Sequence, residues 1–259
     1  MNAEPLEVLR GGVEPALGTW VKLPSLEIVE IIAHTGYDFV VIDNEHSPLS
    51  LESTYNAIAL GQALGLVMLV RVPDRSGGNV QRVLDAGADG LLVPQVADRA
   101  TAEAVGAQMT FSRDGGARGM GSTSRAGRWG LLPASEYLER GARTVRAIQL
   151  EEVAALERAG ELLDAPGVNA AFIGYGDLGL SSGLTPDDPA LAELTRNVIA
   201  AARQRGMPIG TAVGTAQAAA AMAAQGFSYV LVSNDASLLA AGAKQLSGDV
   251  RRLWRDSGA

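Results

Sequence analysis

Eight short runs of β-branched or apolar residues punctuate the chain, at positions 19–21, 39–42, 67–70, 91–93, 145–148, 171–173, 208–211 and 229–232. A strand with one wet face alternates apolar and polar residues, whereas an unbroken run predicts a strand covered on both faces. Between the runs lie alanine- and leucine-rich stretches with helical spacing, such as 26–33 and 216–225. Strands alternating with helices predict parallel pairing through helical crossovers. Gly36, Gly87 and Gly226 each stand between a predicted helix and the next strand, where a short αβ loop needs a left-handed helix end.

Eight such units in 259 residues match the count that closes a parallel barrel. An open doubly wound sheet would leave the extra strands unexplained. The expected fold is therefore a single-domain (β/α)8, or TIM, barrel over residues 1–259. The connection after Val93 breaks the rhythm, because the next strand begins only at Val145. Helices are predicted at 100–109 and 134–143, with a glycine- and arginine-rich loop at 113–122 between them. We expect this insertion, at about 94–144, on the side of the barrel where active sites are built, since long loops in compact domains are often functional.

Composition narrows the classes. With 21 basic and 29 acidic residues the formal net charge is −8, and no basic stripe forms, which argues against nucleic acid as a partner. No run approaches the roughly 20 apolar residues that cross a bilayer, and residues 1–18 lack the pattern of a signal peptide. A cytoplasmic protein without a membrane partner is expected. The absence of cysteine excludes disulfides, thiolate ligands and a cysteine nucleophile. Lys22 and Lys244 are the only lysines, so a Schiff-base enzyme would have to use Lys22, at the end of the first strand.

The strand ends of a parallel barrel converge on one mouth, which gathers Asp43, Glu45, His46, Arg71, Gln149, Glu151 and Asp177. Glu151 and Asp177 follow the fifth and sixth strands, so together they can hold a hard divalent cation whose other ligands are substrate oxygens and water. Singly, each would pass for a solvated loop carboxylate. His46 is suited to proton transfer, directly or through a water, although a histidine capping the next helix would look the same. His34 reads as structural, at a helix C-terminus. Arg71, directly after a buried run, offers a fixed fork for an enolate or a carboxylate, or for an ion pair within the mouth. The segment Gly174-Tyr175-Gly176-Asp177 opens a helix whose N–H groups suit a substrate carboxylate. Gly115, Gly116, Gly119 and Gly121 form neither a dinucleotide fingerprint nor a P-loop.

Several ordered motifs, Phe39-Val40-Val41-Ile42-Asp43-Asn44-Glu45-His46, Val70-Arg71-Val72-Pro73, Val83-Leu84-Asp85-Ala86-Gly87-Ala88, Arg118-Gly119-Met120-Gly121, Arg128-Trp129-Gly130, Gln149-Leu150-Glu151 and Phe172-Ile173-Gly174 before Asp177, carry a resemblance. Over residues 18–242 the chain resembles the HpcH/HpaI aldolases, metal-dependent class II pyruvate aldolases that act on 4-hydroxy-2-oxo-heptanedioate and 2-keto-3-deoxy sugar acids. The resemblance implies a divalent cation (Mg²⁺, Mn²⁺ or Co²⁺) on Glu151 and Asp177, and ketoacid contacts from Arg71, Gln149, Gly176 and Asp177. It implies catalytic roles for His46, Arg71, Asp43 and Asp85, with Asp85 reaching the histidine of a neighbouring subunit in a homo-hexamer built as a trimer of dimers. The implied reaction is reversible cleavage of a 4-hydroxy-2-oxo acid to pyruvate and an aldehyde. A CoA-thioester lyase of the citrate-lyase or malyl-CoA-lyase type, an oxaloacetate decarboxylase and a silent ketoacid-binding barrel are the alternatives. Tyr175 and Gly176 depart from the proline and alanine usual before the metal-binding aspartate, so the pocket beside the ketoacid is expected to differ.

Overall fold

A computed structural model of the protein describes residues 4–257. Eight parallel strands, β1 (Ala16–Val21), β2 (Phe39–Asp43), β3 (Val67–Arg71), β4 (Gly90–Val93), β5 (Val145–Leu150), β6 (Ala170–Ile173), β7 (Ile209–Val213) and β8 (Tyr229–Asn234), close in sequence order. The helices are α1 (Pro5–Arg10), α2 (Leu26–Ala33), α3 (Leu51–Ala63), α4 (Gly77–Asp85), α5 (Arg99–Met109), α6 (Ala134–Ala142), α7 (Val153–Glu157), α8 (Ala159–Leu163), α9 (Tyr175–Ser182), α10 (Pro189–Gln204), α11 (Ala216–Gln225) and α12 (Asp235–Asp256). The barrel and its single domain agree with the expectation from the apolar runs. Among the described residues no helix is long and apolar enough to cross a membrane.

Two apolar layers explain why the runs are unbroken. Outward residues such as Val40, Ile42, Val70, Leu91 and Ile148 pack under the helices. Inward residues Trp20, Phe39, Val41, Leu69, Leu92, Phe172 and Tyr229 fill the barrel. Burying side chains of this kind contributes about 1.5–3 kcal/mol each. The interior is matched in size from strand to strand. A Cβ on Gly18 would lie 2.3 Å from the Phe39 ring, and one on Gly210 would lie 2.1 Å from Tyr229. The inward glycines thus make room for the rings, and the Tyr229 hydroxyl is satisfied by the Ala171 carbonyl at 2.6 Å.

Gly36, Gly87 and Gly226 all adopt positive φ (84°, 88° and 102°), as the αβ junctions demand. The sequence reading missed α1, a single short turn of helix whose Leu9 is fully buried in the interior layer and closes the barrel floor. It also misplaced the loop at 113–122. Because α5 intervenes after β4, it carries the chain back to the N-terminal face, opposite the mouth. There Arg125 donates to the Ala86 carbonyl at 3.2 Å and to the Gln62 side chain at 2.8 Å. Gly121 approaches Asp85 so closely that a Cβ would meet the carboxylate at 2.7 Å. The loop at 113–122 therefore builds a floor with α4 and α6, while Gln95, at the very start of the insertion, reaches the mouth of its own barrel.

Candidate active site

Period-two alternation delivers the polar residues. Trp20, Val41, Leu69 and Ala147 face inward, so the residues two further on, Lys22, Asp43, Arg71 and Gln149, leave their strands on the same side, at the upper rim. Glu151 continues the series from β5. Asp43 and Arg71 are register partners on β2 and β3, which places the two side chains next to one another.

Asp43 is the hub. Fully buried, it accepts from Arg71 Nε at 2.9 Å and Nη2 at 2.8 Å, and also from Lys22 Nζ. The backbone N–H groups of Glu45 and His46 reach its other lone pairs, each at 3.2 Å. Burial by itself would raise its pKa, but the hydrogen bonds and charge of Arg71, followed by those of Lys22, outweigh burial and hold it at about 2. Arg71 lies over the Trp20 ring, 4.4 Å from its centroid, and its Nη1 stands 3.1 Å from Glu45. Three of the five guanidinium donors thus face carboxylates, leaving two for a ligand. Burial and the nearby Asp43 and Asp177 raise the Glu45 carboxyl against the opposing pull of Arg71 and His46. His46 lies just outside, its side chain 55 % exposed and 3.6 Å from Glu45.

Across the mouth, Glu151 is almost completely buried. It accepts from the Gln95 N–H at 2.7 Å and from the Gln149 amide. Burial first, then the charges of Asp177 and Glu45, push its carboxyl up, overriding those hydrogen bonds. Asp177 is exposed in the first turn of α9, and the side-chain amide oxygen Oε1 of Gln149 is buried with no hydrogen-bond partner among the described residues. Oxygen donors alone, a carboxylate raised by burial and then by its acidic neighbours, and an orphaned amide oxygen are the chemistry of a hard divalent cation site. Among the described residues no three His, Asp or Glu side chains form a closed cage, so a cation held here would take its remaining ligands from substrate and water. The residues present fit such an ion.

Gly174 has to be glycine for this geometry, because a Cβ there would fall 2.9 Å from the Gln149 amide nitrogen and 3.2 Å from Glu151. A Cβ on Gly176 would meet nothing within 4 Å, which leaves the backbone of the first turn of α9 open to a ligand. Tyr175 turns outward instead, sharing a 2.9 Å hydrogen bond with Thr195.

The mouth thus unites Asp43, Glu45, His46, Arg71, Gln149, Glu151 and Asp177. Asp85 is not among them: at the end of α4 on the opposite face, it accepts from Gln81 at 2.7 Å and lies 3.5 Å from Arg118. Lys22, the one lysine placed for a Schiff base, has its amine ion-paired to Asp43. Sequence reasoning overlooked Trp20 as the platform for Arg71. It also overlooked Gln95, whose positive φ of 59° aims its N–H at Glu151, and Asp235, which takes the Lys22 and Leu23 N–H groups at 2.9 and 2.8 Å. The inward position of Trp20, two before Lys22, was the one available signal; nothing in the sequence marks Gln95.

Residues 16–241 match the HpcH/HpaI aldolase/citrate lyase family. The chain is 32 % identical to the hydroxypyruvate/pyruvate aldolase of Rhizorhabdus wittichii, over 92 % of this chain and 95 % of the relative. It is 30 % identical to the 4-hydroxy-2-oxo-heptane-1,7-dioate aldolase of Klebsiella pneumoniae, over 95 % and 93 %. The crystal structure of an HpcH/HpaI aldolase/citrate lyase family protein from Burkholderia cenocepacia superposes with a TM-score of 0.87 at 30 % identity, covering 97 % of this chain and all of the other.

Proposed function

The chain belongs to the HpcH/HpaI aldolase/citrate lyase family, and from that premise we propose that its mouth carries out class II pyruvate aldol chemistry. It is a carbon–carbon lyase that cleaves a 4-hydroxy-2-oxo acid to pyruvate and an aldehyde, and runs in reverse. The observation that carries this reading is a buried Glu151 carboxylate and an unpartnered Gln149 amide oxygen on one side of the mouth, with the Arg71 fork on the other.

A divalent cation on Glu151 and Asp177, whether Mg²⁺, Mn²⁺ or Co²⁺, supplies Lewis-acid stabilisation of the negative charge that develops on the ketoacid oxygens. The free N–H groups of Tyr175, Gly176 and Asp177 in the first turn of α9 receive the substrate carboxylate. The Gln149 amide orients the bound ketoacid. The two unused donors of Arg71 point at the oxygen that becomes the enolate, with the fork held rigid between Asp43 and Trp20 so that no reorganisation is needed as charge builds. In cleavage, His46 takes the C4 hydroxyl proton through an ordered water and the C3–C4 bond breaks to release the aldehyde. The electron pair comes to rest on the pyruvate enolate, and the proton is delivered to C3 to give pyruvate. In synthesis the same relay takes a proton from C3 of pyruvate, the enolate carbon attacks the aldehyde, and the new C4 alkoxide takes the proton up.

The test needs no aldehyde. Pyruvate in deuterated water should lose its C3 protons in the presence of the protein, the exchange should vanish on metal stripping and return with Mg²⁺, Mn²⁺ or Co²⁺, and borohydride should not inactivate it. Metal-independent exchange with trapping at Lys22 would mean a Schiff-base enzyme. Absence of exchange under every condition would favour a CoA-thioester lyase.

The working assembly of this reading is a homo-hexamer in which Asp85 of a neighbouring copy completes the His46 proton relay. Two surfaces support it. The outer stripe of α12 leaves Leu246 69 % exposed and Trp254 59 % exposed, while the floor loop displays Trp129 and Leu131, the latter at 82 %. Exposed apolar area on this scale marks interaction sites. Light scattering should give about six times the mass of one chain; a monomer at micromolar concentration would remove the relay.

A further inference from the structure

Lys22 exceeds what Asp43 needs. Arg71 already binds both carboxylate oxygens, and two backbone N–H groups reach Oδ1. The cluster of Arg71 and Lys22 with Asp43 and Glu45 is electrically balanced, whereas Arg71 alone would leave it net negative at the entrance for an anionic substrate. The Lys22 side chain is 25 % exposed, and among the described residues Asp43 is its one side-chain partner. An ammonium carries three donors, so two remain free in the mouth. Its root is fixed as well, because Asp235 at the start of α12 holds the backbone N–H groups of Lys22 and Leu23.

Position gives the charge a purpose. In the closed order of eight strands, β1 stands half a turn from β5. Lys22 therefore faces Glu151 across the mouth, with Arg71 on β3 midway. A 4-hydroxy-2-oxo acid with its ketoacid end at Glu151 and Asp177 and its enolate oxygen at Arg71 extends its far end toward the β1 side. We propose that Lys22 is a specificity-determining residue that binds an anionic group at the distal end of the aldehyde half of the substrate. The physiological acceptor is then an aldehyde acid, and the cleaved substrate a diacid or an equivalent with a second anion. This assignment rests on the aldolase reading above and adds the acceptor class to it.

The experiment compares aldol addition of pyruvate to matched pairs of acceptors: succinic semialdehyde against butanal, and glyoxylate against acetaldehyde. Wild-type, Lys22→Met and Lys22→Arg proteins are each assayed with metal, and pyruvate C3 exchange is recorded in parallel. A charge-assisted hydrogen bond predicts that wild type favours the acidic member of each pair by about tenfold or more in kcat/KM. Lys22→Met should bring the ratio close to one, mainly by raising KM for the acidic aldehyde, and Lys22→Arg should keep most of the preference. Equal ratios in wild type and Lys22→Met, with pyruvate exchange intact, would overturn the role of Lys22 and leave the aldolase standing. A wild type that exchanges pyruvate yet favours neutral aldehydes would do the same. Absence of exchange in wild type would bring down the aldolase reading itself, and this inference with it.

Discussion

Arg71→Ala is expected to lower the rate of pyruvate C3 exchange by about a thousandfold, the scale on which one preorganised charge-stabilising donor acts. It should also cost about 3–5 kcal/mol of stability, because the fully buried Asp43 loses its forked partner. Lys22 and two backbone N–H groups remain on Asp43, which keeps the cost toward the lower end of that range. Arg71→Lys should recover part of the stability and little of the rate, since a point charge cannot satisfy both Asp43 oxygens and also face the substrate. Urea titration gives the first quantity, and exchange on protein verified as folded by circular dichroism gives the second. Unchanged exchange in the alanine variant would end the enolate role of Arg71. The Asp43 partnership also has a pH signature. A carboxyl held at about 2 stabilises the fold above the unfolded value of 3.8 and loses that contribution as pH falls through the folded value. The wild-type advantage over Arg71→Ala should therefore shrink in acid.

Glu151→Gln should separate activity from stability in the opposite way. Aldol cleavage is expected to fall by about a thousandfold as one of the two carboxylates proposed to hold the cation loses its charge. The metal-free variant, however, should be more stable than metal-free wild type at pH 8. The Glu151 carboxyl is raised, chiefly by burial and then by Asp177 and Glu45, so the ionised form burdens the fold. A glutamine keeps an acceptor for the Gln95 N–H, and a half-turn of the Gln149 amide gives its unpartnered oxygen a donor. The sign follows from linkage: a raised acid pKa stabilises the fold below the unfolded value of 4.5 and is lost as pH climbs through the folded value. The gain from Glu151→Gln should therefore vanish toward acid. Adding Mg²⁺ or Mn²⁺ should raise the melting temperature of wild type and leave the variant unmoved. A variant that is less stable at pH 8, or that still responds to metal, would show that Glu151 is held by the barrel for some other reason.

Part of the site could be read directly because strand periodicity and strand ends are local facts. Asp43, Arg71, Gln149 and Glu151 each terminate or directly follow an apolar run, and parallel closure then brings them to one rim. The loop at 113–122 was misplaced for a topological reason: a single helix, α5, between β4 and the loop reverses the end of the barrel on which the loop emerges. Asp85 follows the same rule and lies on the far face, where only another copy of the chain could bring it to His46. Gln95 acts through its backbone N–H, and its side chain gave no hint of this. The fold of the Lys22 segment onto Asp235 joins residues more than 200 positions apart, a contact no short pattern encodes.

By itself the sequence determined the barrel, the eight strand positions, the family likeness and the polar residues that reach the mouth, because alternation, burial on both faces and helix–strand order are properties of neighbouring residues. Only the tertiary structure decided that Asp43 is shared between Arg71 and Lys22, that Glu151 carries a burdened charge, and that the long insertion builds the floor. Those outcomes depend on which side chains closure brings within a few ångströms and on how much water closure removes, and no stretch of chain contains either quantity.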